Sequence, residues 1–481
     1  MKPNCYLLST GCWLGILLCL AACAPYEERV WQTQTGNAIN HGPSSGPAPN
    51  NPPPQSDRIY IENSRIRLGI DRNAGGAITY LSMGRDSVNM VNNADLGRQL
   101  QSSLYSGPVP YLAPGKLPPI SVWAGLGWNP VQTGDYYSQP ANLLTYNRID
   151  DTHLYTKTVP LIWPLNNVVA ECVMEHWIEL RDDVVHFRSR TTVSRADTTQ
   201  YEARTQEAPC MYLNGPWFRV VSYTGDQPFT NAPVSEFAPD FNIADRYATE
   251  NWTALLNRSG RGVGIYRQNE YRYISAMIGI PGTGGESDSD CGYLTAAPFA
   301  VLDHNGVYEY ECDLVLGDLT RIRAFAYAQP RPQTIPDFRF QMSRQGWYYA
   351  NTRDQGWPLP ADALTIRWWP ADAAKPLRVE SPTMFWRAAA LPQLVVDAAF
   401  TTPASQARLI WRRTGDNHWN VTTNRATTFA IIGDGQPRRY TVPLAGVAGW
   451  EGIIAQVALS PVAAAPTTAG QTLRLRSVTA Q

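Results

Sequence analysis

The fold class is decided by residues 174–180, which read MEHWIEL. Apolar and polar side chains alternate along this stretch, and successive side chains of a β-strand point to opposite faces. Met174, His176, Ile178 and Leu180 would therefore face one way and the residues between them the other. Residues 184–190, which read VVHFRSR, follow the same pattern. Two such stretches in succession predict neighbouring antiparallel strands.

The remainder of residues 58–481 also shows patterns typical of β-strands. Glycine, proline and asparagine turn signals recur at short intervals, and no amphipathic helix of more than about ten residues is evident. Prolines mark a break near 330–332 and 357–360. We predict an all-β protein with a large antiparallel domain at 58–345, a linker at 346–370 and a smaller, jelly-roll-like β-sandwich at 371–481.

The N-terminus has the form of a secretory signal. Lys2 precedes an apolar run from about Trp13 to Ala22, and this run is shorter than the roughly 20 residues that cross a membrane. The sequence Leu20-Ala21-Ala22-Cys23 resembles the cleavage site of bacterial lipoproteins. This resemblance implies a signal peptide at 1–22, lipid on Cys23 and attachment to the cell envelope, with the outer membrane, facing the periplasm or the cell surface, as the expected address.

The segment 23–57 contains six prolines between Pro43 and Pro54 and is predicted to be an extended tether. The formal net charge of the chain is -1, which gives no electrostatic case for binding nucleic acid. We find no nucleotide-binding glycine loop, nucleophile elbow or zinc motif, so no cofactor and no metal is expected.

Four cysteines remain in the body after the signal peptide and Cys23 are set aside. They are Cys172, Cys210, Cys291 and Cys312. An even number of cysteines in an oxidising compartment predicts up to two disulfides, with three pairings possible. Buried free thiols are the alternative.

Two stretches resemble known families. Residues 75–81 (GGAITYL), with 89–93 and 95–98, are similar to the early hairpin of the galactose-mutarotase-like β-supersandwich, a fold shared by aldose epimerases, polysaccharide lyases and glycosidases. Residues 440–478, with Gly449-Trp450-Glu451-Gly452, resemble the closing strands of jelly-roll carbohydrate-binding modules. The resemblance implies a carbohydrate-active enzyme, although no histidine acid and glutamate base of the epimerase kind can be matched.

The candidate substrate-binding residues form two groups. Arginine together with an acid and an amide can bind sugar hydroxyls or a uronate, and aromatic and amide side chains in a loop suit a saccharide subsite. The first group is Asp95, Arg98 and Gln101, and the second is Trp128, Asn129, Gln132 and Asp135. A structural ion pair and a loop that packs on its own domain are the respective alternatives.

Glu207 and Glu250 are the candidate catalytic residues. Glu207 lies in Gln206-Glu207-Ala208-Pro209, where a strand end can place a carboxylate beside a cleft, and Glu250 opens another predicted strand. Tyr212 and Trp217 would line the site at Glu207, and Trp252 would line the site at Glu250. If the glutamates face each other, their separation would decide between retaining and inverting hydrolysis.

Two further patterns have structural alternatives. The stripe His186, Arg188 and Arg190 would suit a lyase acting on an acidic sugar, or it is a solvated face. The acidic turn 286–290 resembles a calcium site only loosely. The sequence therefore favours an exported lipoprotein that acts on a polysaccharide, first by hydrolysis with paired carboxylates. A polysaccharide lyase or sugar epimerase, a non-catalytic glycan-binding protein and an envelope structural protein remain alternatives.

Overall fold

The computed structural model of the chain describes residues 53–85, 87–239, 243–416, 419, 425–462 and 470–481. The predicted signal peptide, Cys23 and most of the predicted tether lie outside these residues. Within the described ranges, no helix has both the length and the apolar character of a membrane span.

The predicted all-β class, a large antiparallel two-sheet domain followed by a smaller β-sandwich, is confirmed. The large domain contains two antiparallel sheets, of which the first, sheet 1, has ten strands. Its strands in order of pairing are β1 (Arg58–Glu62), β2 (Arg67–Asp71), β3 (Ile78–Ser82), β4 (Leu100–Ser103), β12 (Glu207–Asn214), β19 (Cys291–Ala296), β18 (Arg272–Ile278) and β15 (Ala244–Tyr247), with β5 (Pro130–Val131) beside β4 and β8 (Leu161–Ile162) beside β5.

Sheet 2 has nine strands and packs against sheet 1. Its strands in order of pairing are β14 (Ser235–Phe237), β13 (Arg219–Ser222), β16 (Trp252–Leu256), β17 (Arg261–Tyr266), β21 (Val307–Asp318), β10 (Val184–Val193), β9 (Cys172–Arg181), β7 (His153–Val159) and β6 (Asn142–Arg148). A separate two-stranded ribbon pairs β11 (Arg204–Thr205) with β20 (Phe299–Ala300).

The alternation that predicted these strands also determines what they bury. Met174, Ile178 and Leu180 on β9 point into the core between the two sheets, together with Phe187 on β10. Burying each side chain of this size contributes about 1.5–3 kcal/mol. The intervening residues of β9 are partly exposed on the other face of sheet 2.

One α-helix, α1 (Leu319–Ala328), follows β21 and covers part of the outer face of sheet 2. Asp318 caps its N-terminus by accepting a hydrogen bond from the Arg321 backbone N–H at 2.8 Å. Ile322 and Ala326 on its buried face pack in a cluster that includes Trp252. The described residues also form short 3-10 helices at Arg72–Ala74, Ala124–Leu126 and Ala388–Ala390.

The small domain is a sandwich of two antiparallel sheets. Sheet 3 contains β22 (Asp337–Arg339), β32 (Thr472–Ala480), β27 (Gln393–Thr401) and β30 (Arg438–Pro443), with β24 (Leu364–Arg367) on β32. Sheet 4 contains β23 (Tyr348–Ala350), β25 (Arg378–Glu380), β31 (Ile453–Pro461), β28 (Gln406–Arg413) and β29 (Ala426–Ala430), with β26 (Trp386–Arg387) on β31. Residues 346–370, predicted as a linker, thus supply β23 and β24 to these sheets.

The two domains share buried groups at their junction. Tyr271, Phe299 and Val301 of the large domain belong to the hydrophobic cluster of the small domain. Beside them, both guanidinium Nη atoms of Arg344 donate to Asp303 at 2.7 Å, and its Nε donates to Asp354 at 2.6 Å. All three side chains of this network are at most 2% exposed, so the junction is an internal part of the structure.

The predicted disulfides are not formed, because Cys172, Cys210, Cys291 and Cys312 are all buried free thiols. Cys210 and Cys291 lie on adjacent strands but four positions out of register, which is about 13 Å along a strand. Cys172 and Cys312 lie on strands separated by β10. A disulfide needs Cα atoms about 4.4–6.8 Å apart, so strand order and register prevent the Cys210–Cys291 and Cys172–Cys312 bonds.

Candidate active site

The outer face of sheet 1 is the face turned away from the core. Leu100, Met211 and Leu294 point inward into the core, so the residues that alternate with them point outward. The outward-facing residues used below are Gln101, Ser103, Cys210, Tyr212 and Tyr293. Cys210, Tyr212 and Tyr293 belong to a buried cluster of their own on this face.

A bulge places Glu207 on this outer face. Glu207 pairs with Ser103 and Cys210 pairs with Gln101, so β12 spans three residue steps where β4 spans two. In a regular strand, positions three apart point to opposite faces. The extra residue corrects this difference, and bulges are known to redirect side chains in this way. Glu207 therefore joins Cys210 and Tyr212 on the outer face.

Two tyrosine hydroxyls hold the Glu207 carboxylate. Tyr105 donates to Oε2 at 2.8 Å, and Tyr293 donates to Oε1. Ser103 donates in turn to the Tyr105 hydroxyl at 3.2 Å. Glu207 is 5% exposed, and both tyrosines are 2% exposed. The carboxylate is therefore fixed in position at the base of the face.

The tyrosines around Glu207 remain protonated. Burial, followed by the charge of Glu207, raises the pKa of Tyr105, Tyr212 and Tyr293 well above the usual value for tyrosine. The rings of Tyr212 and Tyr293 lie 4.7 Å apart between centroids. A carboxylate therefore lies in direct contact with two protonated phenols, and carboxylates and phenols are both residue types that take part in general acid–base chemistry.

The first group of predicted binding residues lies at one end of the same face. Arg98 Nε and Asp95 Oδ2 form an ion pair at 2.9 Å, and Arg98 Nη1 donates to the Ser289 carbonyl at 2.6 Å. Gln101 is fully buried and accepts hydrogen bonds from the backbone N–H and the hydroxyl of Thr133. These contacts are structural, and they fix the loop that follows β3 to sheet 1.

The second predicted group packs within its own domain. Trp128 is fully buried in the core, and the Asn129 amide donates to Ser103 Oγ at 3.2 Å and to the Leu104 carbonyl at 2.8 Å. The Gln132 side chain accepts a hydrogen bond from a backbone N–H of β4. Asp135 accepts from three backbone N–H groups, and burial raises its pKa. Only Asn129 reaches the surroundings of Glu207, through Ser103.

Glu250 lies elsewhere in the fold. It is fully buried and accepts hydrogen bonds from both Nε and Nη2 of Arg323, at 3.0 and 2.8 Å, and from the Tyr327 hydroxyl at 2.7 Å. The Trp252 indole donates to the same carboxylate at 3.0 Å. Arg323 and Tyr327 belong to α1, so these contacts hold the helix against the outer face of sheet 2.

The two predicted catalytic glutamates are not brought together. Glu207 lies on the outer face of sheet 1 and Glu250 under the helix on the outer face of sheet 2, and packed sheets are about 10 Å apart before side chains are added. Carboxyl groups that act together in glycoside hydrolysis lie about 5–9.5 Å apart. These two residues cannot form such a pair. Tyr212 lies beside Glu207, whereas Trp217 packs in the core and Trp252 lies with Glu250.

The charged residues of the His186 stripe and of the acidic turn 286–290 contact other groups of this protein. His186 contacts Asp313, and Arg188 and Arg190 contact Glu309 on the neighbouring strand. In the acidic turn, Glu286 pairs with Arg58, and Asp290 accepts from the Ile280 N–H and the Thr283 hydroxyl. Across the described ranges, no three His, Cys, Asp or Glu side chains are grouped so as to hold a metal ion.

Sequence reasoning missed Tyr105, Tyr293 and Ser103. Tyr293 lies between inward-facing Gly292 and Leu294, so alternation along β19 would have placed it on the outer face. What alternation does not provide is the strand order that sets β4 and β19 on either side of β12. The bulge that turns Glu207 towards both tyrosines is equally invisible in the sequence.

No family model matches the sequence, and no curated protein matches it. Among solved structures, a galactose mutarotase related enzyme from Lactobacillus acidophilus aligns at 10% identity with a TM-score of 0.36, over 54% of this chain and 97% of its own. A galactose mutarotase-like protein from Lactobacillus casei aligns at 10% identity and 0.34, over 54% and 100%. An α-galactosidase from Geobacillus stearothermophilus aligns at 8% identity and 0.34, over 55% and 41%. Similarity of this size assigns neither a family nor an activity to the chain, so its function is inferred from its own residues.

Proposed function

We propose that this protein acts on a saccharide at the outer face of sheet 1, with Glu207 as the group that accepts a proton and Tyr105 or Tyr293 as the group that donates one. The observation that carries this proposal is the carboxylate of Glu207 held between two buried phenol hydroxyls. One carboxylate with a phenol suits epimerase or lyase chemistry. The same pair of groups does not suit glycoside hydrolysis, which uses two carboxylates.

The proposed step is balanced in protons. In an epimerase, Glu207 takes the proton of the anomeric hydroxyl while the phenol protonates the ring oxygen, and the bond between the anomeric carbon and that oxygen breaks to give the open-chain sugar. In a lyase, Glu207 takes the proton α to a uronate carboxyl group, a double bond forms between the α and β carbons, the bond from the β carbon to the glycosidic oxygen breaks, and the phenol protonates that oxygen. Both reactions need one base and one acid within hydrogen-bond reach of the reacting sugar.

The test is a comparison of the wild-type protein with Glu207→Gln. The two proteins are incubated with a panel of aldoses and polysaccharides while anomer exchange, unsaturated uronates and new reducing ends are followed. We expect turnover in one of the first two assays and a loss of about 10²- to 10⁴-fold in the variant, because the amide cannot accept the proton. Glu236→Gln, which alters an exposed pair with Arg219, is the matched control. Full activity in Glu207→Gln would refute this site.

A second candidate is a protein that binds glycans without turnover. It is favoured by the near-complete burial of Glu207 and its tyrosines, which leaves little of the carboxylate open to a reacting atom. Binding to a glycan of the panel in the absence of any product would select this function.

We further propose that the chain is exported and held to the cell envelope by lipid on Cys23. The support is the sequence of residues 2–23 alone. Mass spectrometry of the mature N-terminus should find a lipid-modified Cys23, and Cys23→Ser should release the protein from membranes. An unmodified mature N-terminus would refute the anchor.

A further inference from the structure

The junction between the domains contains an aromatic residue flanked by arginines. Trp419, which follows β28, has the guanidinium carbons of Arg378 and Arg412 at 5.8 and 5.9 Å from its ring centroid. Its indole N–H donates to Glu380 Oε2 at 3.0 Å. Trp419 and Arg412 are only partly buried, so both residues retain some exposure to solvent.

The two arginines differ in how their charge is balanced. Arg378 pairs with Glu380, since its Nε lies 2.8 Å from Oε1 of that carboxylate. Arg412 instead donates Nη1 to the amide oxygen of Gln456 at 2.9 Å, and Nε and Nη2 to the Asp416 carbonyl at 3.2 and 2.8 Å. These acceptors are neutral. In the described part of the chain no carboxylate lies within 4.0 Å of the Arg412 guanidinium, which makes it a cation suited to an external anion.

Glu202 of the large domain contributes a carboxyl group near Arg378 and Lys375. Glu202 accepts a hydrogen bond from the Asn351 backbone N–H at 2.7 Å, directly after β23. Burial raises its pKa, and the charge of Glu380 raises it further, while Arg378 and Lys375 oppose the shift. Lys375 itself lies 3.4 Å from Asp372. Arg378 and Lys375 are therefore already paired, and Arg412 remains the cation open to a ligand.

We propose that the domain junction holds a binding subsite for a saccharide residue that bears a carboxylate, with Arg412 binding the carboxylate and Trp419 packing against the sugar ring. A guanidinium presents a planar set of donors that matches a carboxylate, and an indole offers an apolar surface to the C–H groups of a sugar. The subsite deepens the proposed function by naming an acidic saccharide as the ligand class, and it shares with that function the premise that the ligand is a saccharide.

The experiment measures binding by titration calorimetry with a protein that comprises residues 53–481. The probes are tetramers of galacturonate and of mannuronate, each beside its fully methyl-esterified form, which has the same sugars without the charge. We expect at least one acid to bind roughly 10- to 100-fold more tightly than its ester, the range typical of a hydrogen bond to a charged group. This preference should shrink as salt rises, because exposed charges are screened.

Four variants separate recognition from folding. Arg412→Gln should abolish the preference for the acid, and Arg412→Lys should keep part of it. Trp419→Ala should weaken acid and ester alike. Arg474→Gln, which removes an arginine of the same domain that is paired with Asp362, is the control and should change nothing.

The outcomes distinguish this subsite from the site at Glu207. Glu207→Gln should lose turnover and keep the preference for the acid, whereas Arg412→Gln should do the reverse with short substrates. The subsite is refuted if neither acid binds more tightly than its ester, or if Arg412→Gln retains the full preference. Those results would leave the proposal for Glu207 standing.

Discussion

The outer faces of the two large sheets each contain a buried glutamate, and the two glutamates are held by different chemistry. Glu207 on sheet 1 accepts hydrogen bonds from the phenols of Tyr105 and Tyr293. Glu250 on sheet 2 accepts two from the guanidinium of Arg323, with Tyr327 and Trp252 completing its shell. Both carboxylates are almost inaccessible to solvent.

The difference between the donors separates a reactive role from a structural one. A tyrosine hydroxyl can give up its proton, whereas an arginine in a protein cannot be deprotonated. Two phenols donate to Glu207, whereas Glu250 is held mainly by the guanidinium of Arg323, with the Tyr327 phenol as a further donor. The permanent charge of Arg323 suits Glu250 to holding α1 in place. Burial and residue type alone would rank the two glutamates equally.

The largest expected effect is on stability at Glu250. Glu250→Ala removes one partner of a buried ion pair and leaves Arg323, which is 13% exposed, without its carboxylate. We expect a loss of about 3–5 kcal/mol in the free energy of unfolding, measured by urea denaturation. Activity per folded molecule should not change. A stable variant that had lost activity would reverse the roles assigned to the two faces.

A smaller effect is expected on turnover at the tyrosines. Tyr105→Phe and Tyr293→Phe each delete one hydroxyl next to Glu207 and keep the ring. The variant that lacks the proton donor should lose roughly 100-fold in kcat, the lower end of the range for general acid catalysis. The other variant should lose less, and this identifies the acid. Tyr327→Phe is the matched control beside Glu250, and an equal loss there would contradict the comparison.

A pH-dependent effect is expected from His176, which lies in the core between the two faces. Burial lowers its pKa from 6.5 to about 3, and its Nε2 lies 2.9 Å from Ser102 Oγ. Below pH 6.5 the unfolded chain binds a proton at this residue that the folded chain does not. Stability should therefore fall as pH falls from 6.5 towards 3, by about 1.4 kcal/mol for each pH unit.

The matched variant for this effect is His176→Gln, which keeps a polar group near Ser102 and does not titrate. Urea denaturation at several pH values should give a smaller slope in the variant than in the wild type. Equal slopes would show that His176 does not carry the effect.

The smallest effect is expected at the cysteines. Because Cys172, Cys210, Cys291 and Cys312 are buried free thiols, the native protein without residues 1–23 should react slowly with a thiol reagent and should expose four reactive thiols on unfolding. Reduction should leave its thermal midpoint unchanged. A lowered midpoint would indicate a disulfide and contradict the strand register described above.

Local patterns in the sequence were sufficient to predict the strands. They were not sufficient to predict which residues surround Glu207. Alternation in residues 174–180 predicted β9 because the side-chain period of a strand is a local property. Glu207 was identified by its place before Pro209, which is also local. Its partners come from the residues just after β4 and from β19, more than 80 residues away in each direction. No pattern around Glu207 specifies those strands.

The failed predictions share one cause. The pairing of Glu207 with Glu250, and the pairing of the four cysteines, both assumed that residues with matching chemistry meet in space. Strand order and register decide which residues meet, and they are fixed by contacts over the whole sandwich. The resemblance to carbohydrate-active domains suggested the architecture and contained no information about the bulge before Cys210.

The core shared by the two domains determines how this chain can be divided. A cut after residue 330 would expose Tyr271, Phe299 and Val301 to water and would leave Asp303 buried without Arg344. The C-terminal sandwich is therefore not an interchangeable part that could be transplanted to another protein or lost without harm. Mutations that improve one half must be compatible with the other, and the two halves can be expected to change together in evolution.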